Sequence, residues 1–257
     1  MWEAFTNLLT QILTTLHGFC GDWGLAIIIL TLIVRLLIMP LMTRSTRSSA
    51  KMQVLQPKLQ ELQERYADDP ERLQKEMSKF YAENQFNPLG GCLPILLQMP
   101  IFFALFGVIR SVGELAGGTA SFYNIVPDLS VGPRDVIASA GWGAAAVYIF
   151  LDLLFGVLTL VPMLLNTNMS TDPQQQKTTR MMGIFMAVWM VWIGWGLPSG
   201  VLLYYNTSAL WQVAQQQLVT KRVMDQARAE AEAELANKPV EIDVVRRDRK
   251  KRPHKKG

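Results

Sequence analysis

The 257 residues would suit one or two soluble domains, yet half are apolar and only 18% are charged. Several stretches of about 20 residues are nearly free of charge, enough to cross about 30 Å of hydrocarbon, so the chain reads as an all-α polytopic membrane protein. Two cysteines exclude a disulfide-rich secreted scaffold, His17 and His254 are too far apart to suggest a metal site, and the net charge of +4 informs only through its distribution.

Residues 1–22 read as an exoplasmic interfacial amphipathic helix. Trp2, Phe5, Leu8, Leu9, Ile12, Leu13 and Leu16 recur at helical spacing opposite Glu3, Asn7, Gln11 and Thr14, the pattern of a helix lying flat on the outer leaflet. A signal peptide would need a basic n-region and a longer apolar run. Gly18, Gly21 and Gly24 separate this helix from the first transmembrane span, 23–42, whose only charge is Arg35.

Residues 43–92 are polar, and within them 44–84 predict a helical hairpin broken at Asp68-Asp69-Pro70. Met52, Leu55, Leu59, Leu62 and Tyr66 line one narrow seam and Leu73, Met77 and Phe80 the other. A seam this thin buries little, so the hairpin should be marginal and mobile. It serves either as a solvated spacer or as a docking arm for a partner.

The second span is 93–112, interrupted by Pro94 and Pro100 and carrying Gln98, and a loop at 113–141 leads to the third, 142–165, which holds Asp152. After the loop 166–180 come the fourth span, 181–197, and the fifth, 201–219, joined by the tight turn Pro198-Ser199-Gly200. Met182, Met186, Met190, Trp189 and Trp192 of the fourth span read as packing and interfacial anchoring. Asn206, Thr207, Ser208, Gln212 and Gln215 make the fifth the least apolar. The tail 220–257 begins with an Ala/Glu-rich helical stretch and ends in a run, 246–256, suited to anionic lipid or to ribosomal RNA, with lipid favoured.

Orientation follows from the cations. None precedes Arg35, eight (Arg44 to Lys79) lie between the first two spans, and many follow the fifth, so the N-terminus is outside and the C-terminus cytoplasmic. Cys20 and Cys92 then sit on opposite sides of the bilayer and cannot pair.

Arg35 lies seven positions from the inner end of its span, roughly 10 Å into the hydrocarbon. Central placement of an arginine costs roughly 2.5–3.5 kcal/mol on insertion scales. It can snorkel to the inner headgroups, or face a wet cavity. Thr31 one turn away, Gln98, and Tyr204, Ser208, Trp211 and Gln212 on the fifth span supply polar walls, and their number favours the cavity. Asp152 is a possible ion-pair partner at a similar depth, and pairing depends on which way each helix faces.

The runs WGLAIIILTLIVRLLIMPL (23–41), NPLGGCLPILLQMPIFFALF (87–106) and PSGVLLYYNTSALWQVAQQ (198–216) resemble the YidC/Oxa/Alb-type membrane protein insertases, over residues 20 to about 220. Without a large exoplasmic domain the chain is similar to the compact Gram-positive form. The resemblance implies five spans around a hydrophilic groove open to the cytoplasm and to lipid, with Arg35 as the groove arginine. It also implies a mobile cytoplasmic hairpin that docks partners and a basic tail that contacts ribosomes in some members. Two departures stand out: the lipoprotein cysteine of Gram-positive members is absent, and Asp152 is not part of the family pattern.

The expected function is therefore insertion and chaperoning of nascent membrane proteins at the bacterial plasma membrane, with the Sec translocon and the signal-recognition receptor as candidate partners. No covalent chemistry is needed, so no enzyme activity, cofactor or metal is expected. The alternative is a small-anion transporter or channel using Arg35 as its binding charge, but transporters usually show internal repeats and paired broken helices, which five unlike spans do not. An intramembrane hydrolase would need a metal pair, a Ser/His arrangement or facing aspartates.

Overall fold

A computed structural model of the chain describes residues 2–84, 93–167 and 173–237. The motif residues 87–92, Cys92 among them, and the basic run 246–256 lie outside the described residues. Within these, the architecture is helical, with one isolated bridge between Phe122 and Val126.

Helix α1 (Trp2–Cys20) does not keep its whole apolar face for lipid. Leu9 and Leu13 are buried in the main core and Ile12 and Leu16 pack against it, because α1 lies across two later helices; Trp2, Phe5 and Leu8 stay exposed. The chain reverses at Gly21, whose φ of 70° is a left-handed conformation that suits glycine. His17 then stacks on Trp23 with ring centroids 4.0 Å apart.

Helix α2 (Trp23–Arg65) runs unbroken for 43 residues, about 65 Å at 1.5 Å per residue, through both the apolar stretch and the first half of the polar segment. Pro40 and Pro57 lie inside it, each removing a backbone donor. Its far half packs on α3 (Pro70–Glu83), where Leu55, Leu59, Leu62 and Phe80 form a small cluster separate from the main core. Asp69 caps α3 by accepting from the Arg72 amide at 3.1 Å, and Pro70 sits in the first turn, where its missing N–H is harmless.

Helix α4 (Leu93–Arg110) and the short α5 (Val112–Leu115) lead to a loop that closes one end of the bundle. Asp22 fixes it with both carboxylate oxygens: one caps α2 through the Leu25 amide (2.8 Å), the other accepts from the Tyr123 amide (2.6 Å). Leu129 donates to the Ala120 carbonyl, and the Gly200 and Ser199 amides donate to Leu129 and Val131. The Asp128 amide donates to the Tyr148 hydroxyl at 3.0 Å. These bonds bring together the first turns of three helices: α2, α7 (Ala146–Thr167) and α9 (Ser199–Gln215). The approach is close enough that a Cβ on Gly200 would come 2.7 Å from the Ile109 side chain.

Helix α6 (Pro133–Ala144) is bent at Gly141, where φ is 82°, so the continuous apolar helix starts at Ala146, a few residues after the predicted start of the third span. Helices α7 and α8 (Pro173–Gly194) pack along each other through glycine notches: Gly156 receives Val191, and Gly183 receives Leu160 and Met163. Their outer faces expose Phe150, Leu153 and Val157, and Phe185, Val188, Trp189 and Trp192, a surface a bilayer would cover. By length and composition, two described helices, Trp23–Arg65 and Ala146–Leu164, are apolar enough to cross a membrane, and Gln98–Arg110 is a shorter apolar helix. Beyond α9 a single π-helical turn, Gln216–Thr220, continues into α10 (Lys221–Asn237). Helix α10 carries the run of α9 onward along α2, with Ala50, Met224 and Ala227 buried together and Arg228 donating to Gln53.

Candidate functional site

Away from the closed end lies a partly open cavity of about 430 Å³, within the size range of ligand sites. One wall is a stripe on α2: Arg35, Met42, Ser45, Thr46, Ser49 and Gln53, whose spacings of three, four and seven return to one helical face. The opposite wall is Gln212, Gln215, Gln216, Thr220 and Met224. Steps of four residues drift by about 40° in an α-helix of 3.6 residues per turn. The wider π turn at Gln216–Thr220 counteracts that drift and keeps this second row facing inward. Pro162 of α7 and Thr179 of α8 complete the lining.

Among the described residues, the lining holds one cation, nine uncharged polar side chains and no carboxylate. Arg35 is half-buried there, and Tyr204 and Tyr205 are near enough to interact electrostatically with it. The Gln98 amide donates to the Tyr204 hydroxyl at 3.0 Å, tying α4 to α9 beside the arginine.

Of the predicted groove residues, Gln212 shares the cavity with Arg35, and Tyr204 and Gln98 stand beside it. Trp211 acts one step removed: its indole N–H donates to the Gln215 side chain, which lines the wall. Thr31 and Ser208 lie outside the lining. Thr31 is buried, and its hydroxyl donates to the Ile27 carbonyl of its own helix at 2.7 Å. Ser208 is buried, its hydroxyl oxygen without a hydrogen-bond partner among the described residues.

No ion pair joins Asp152 to Arg35. The Asp152 carboxyl is buried at the seam of α7 and α8, filling the space that the missing side chain of Gly194 leaves open. Nearby, Asn206 donates to the Leu151 carbonyl at 2.9 Å and pins α9 to α7.

Sequence reasoning missed Ser45, Thr46, Ser49 and Gln53, because it ended the first span at Met42 and assigned the following polar residues to a separate arm. The signal was present: the helical spacing from Arg35 continues without a break. Thr179, Gln216 and Thr220 come from elements whose contact only the tertiary fold creates.

A family model described as the 60Kd inner membrane protein matches residues 15–227. A Haemophilus influenzae protein described as membrane protein insertase YidC is 40% identical over 219 residues, 85% of this chain and 37% of that protein. A protein of the same description from Wolinella succinogenes is 36% identical over 227 residues, 88% of this chain and 39% of its own length. A solved structure, an active YidC insertase with its first transmembrane domain resolved, shares 34% identity and superposes with a TM-score of 0.60, covering 85% of this chain and 47% of that one. The chain thus spans well under half the length of these curated relatives.

Proposed function

Because the chain belongs to the 60Kd inner membrane protein family, we propose that it is a membrane protein insertase that uses the Arg35 cavity to carry short polar segments of nascent membrane proteins across the bilayer. The observation that carries this reading is a half-buried arginine in a polar cavity whose lining, among the described residues, contains no acid to neutralise it.

On this reading five spans, 23–42, 93–112, 142–165, 181–197 and 201–219, cross the bacterial plasma membrane with the N-terminus outside and the C-terminus in the cytoplasm. The bonded loop seals the outer side, and the cavity opens toward the cytoplasm. Water in the cavity solvates a polar tail partway, so the remaining apolar barrier is shorter than the full 30 Å or so of hydrocarbon. At 4 Å and an effective dielectric near 20, Arg35 attracts a carboxylate by up to about 4 kcal/mol before desolvation. That is enough to recruit a tail and weak enough to release it. The substrate's apolar segment meanwhile slides over exposed side chains such as Leu153 and Val157 of α7 and Leu210 of α9 into lipid. The α2–α3 arm docks partners, for which the Sec translocon and the signal-recognition receptor are candidates, and the basic tail holds anionic lipid or the ribosome.

The test is depletion of a host's own insertase followed by complementation with the full chain and its Arg35→Lys and Arg35→Ala variants. Lysine should retain most insertion of a substrate with an acidic tail, and alanine should lose it. Equal activity of all three refutes the electrostatic mechanism.

A further inference from the structure

Arg35 is the one charged side chain among the described residues of the lining. A guanidinium in a polar recess attracts a monovalent anion with hydrogen-bond acceptors, and guanidinium groups match phosphate oxygens in a forked geometry. Helices α7 and α8, which line the recess through Pro162 and Thr179, are apolar on their outer faces, with Leu153, Val157, Phe185 and Val188 exposed, a track that suits acyl chains.

We infer that an acidic phospholipid occupies this cavity when no substrate does, its phosphate at Arg35 and its polar head among the glutamines and hydroxyls. The inference rests on the membrane placement and orientation proposed above, and it adds a resident ligand that an incoming substrate must displace.

The test is native mass spectrometry of the detergent-solubilised full chain with added phosphatidylglycerol, phosphatidylcholine or inorganic phosphate. Phosphatidylglycerol should be retained at least fivefold more than phosphatidylcholine. Arg35→Gln should cut that retention at least threefold, with Arg35→Lys restoring most of it. Arg110→Gln, which removes an exposed cation at the end of α4 outside the lining, should leave retention unchanged. Equal retention of the two lipids, or unchanged retention in Arg35→Gln, overturns the inference. Full displacement by millimolar inorganic phosphate overturns it too, showing a site for free anions. The insertase reading fails separately, if the wild-type chain does not complement whatever its lipid retention.

Discussion

Replacing Asp22 with alanine tests how the closed end of the bundle is held. Asp22 is 7% exposed, and its two oxygens accept from the amides of Leu25 and Tyr123, residues about 100 positions apart. Losing the helix cap costs about 1 kcal/mol. Losing the second bond, made to a charged acceptor, costs about 1.5–3 kcal/mol; the lower figure applies because the side chain of Tyr123 is exposed and water can reach its amide. The sum is about 2.5 kcal/mol. At about 2–4 °C per kcal/mol for a chain of this size, the apparent Tm should fall by about 5–10 °C. Thermal unfolding of the detergent-solubilised full chain, followed by tryptophan fluorescence, reads this directly. Asp22→Asn keeps one carbonyl oxygen, so it should lose about half as much. An Asp22→Ala protein melting within 1 °C of wild type would show that the loop is held without this residue and would refute the reasoning.

Gly194→Ala should cost about 1–3 kcal/mol by overlap with the Asp152 carboxyl, and less than half of that in an Asp152→Ala background; additive effects in a thermal double-mutant cycle would contradict the packing described. Asp152→Asn should leave insertion unchanged in the complementation assay, because the carboxyl forms no ion pair with Arg35. Gln98→Leu and Tyr204→Phe should each cost about 1 kcal/mol and couple when combined, as partners in one hydrogen bond do; independent effects on Tm would argue that the bond is not formed. Phe80→Ala should remove about 3–5 kcal/mol from the small α2–α3 cluster, so protease cleavage between residues 66 and 84 should accelerate while the main melting transition moves little; a large shift of the main transition would mean the two clusters unfold as one.

Much of this molecule follows from local pattern. Apolar runs separated by glycine, proline and charged stretches announce helices, since a backbone in hydrocarbon must satisfy its own hydrogen bonds. The asymmetry of lysine and arginine points to an orientation, and a lone Arg35 among leucines and isoleucines points to a special environment. Helical spacing also marked the α1 face and the seam of Leu55, Leu59, Leu62 and Phe80. What lay beyond local pattern was which partner each face meets. Leu9 and Leu13 satisfy the same periodicity whether lipid or protein covers them, and only the crossing of α1 over α2 and α4 buries them. Asp152 and Arg35 stand at similar depths along their helices, but depth says nothing about rotation, and packing turned Asp152 toward Gly194. The cavity wall depends on α9 and α10 running along α2 and on one π turn that resets the facing of Thr220 and Met224. Those are contacts between residues far apart in the chain, whose energies no window of sequence contains.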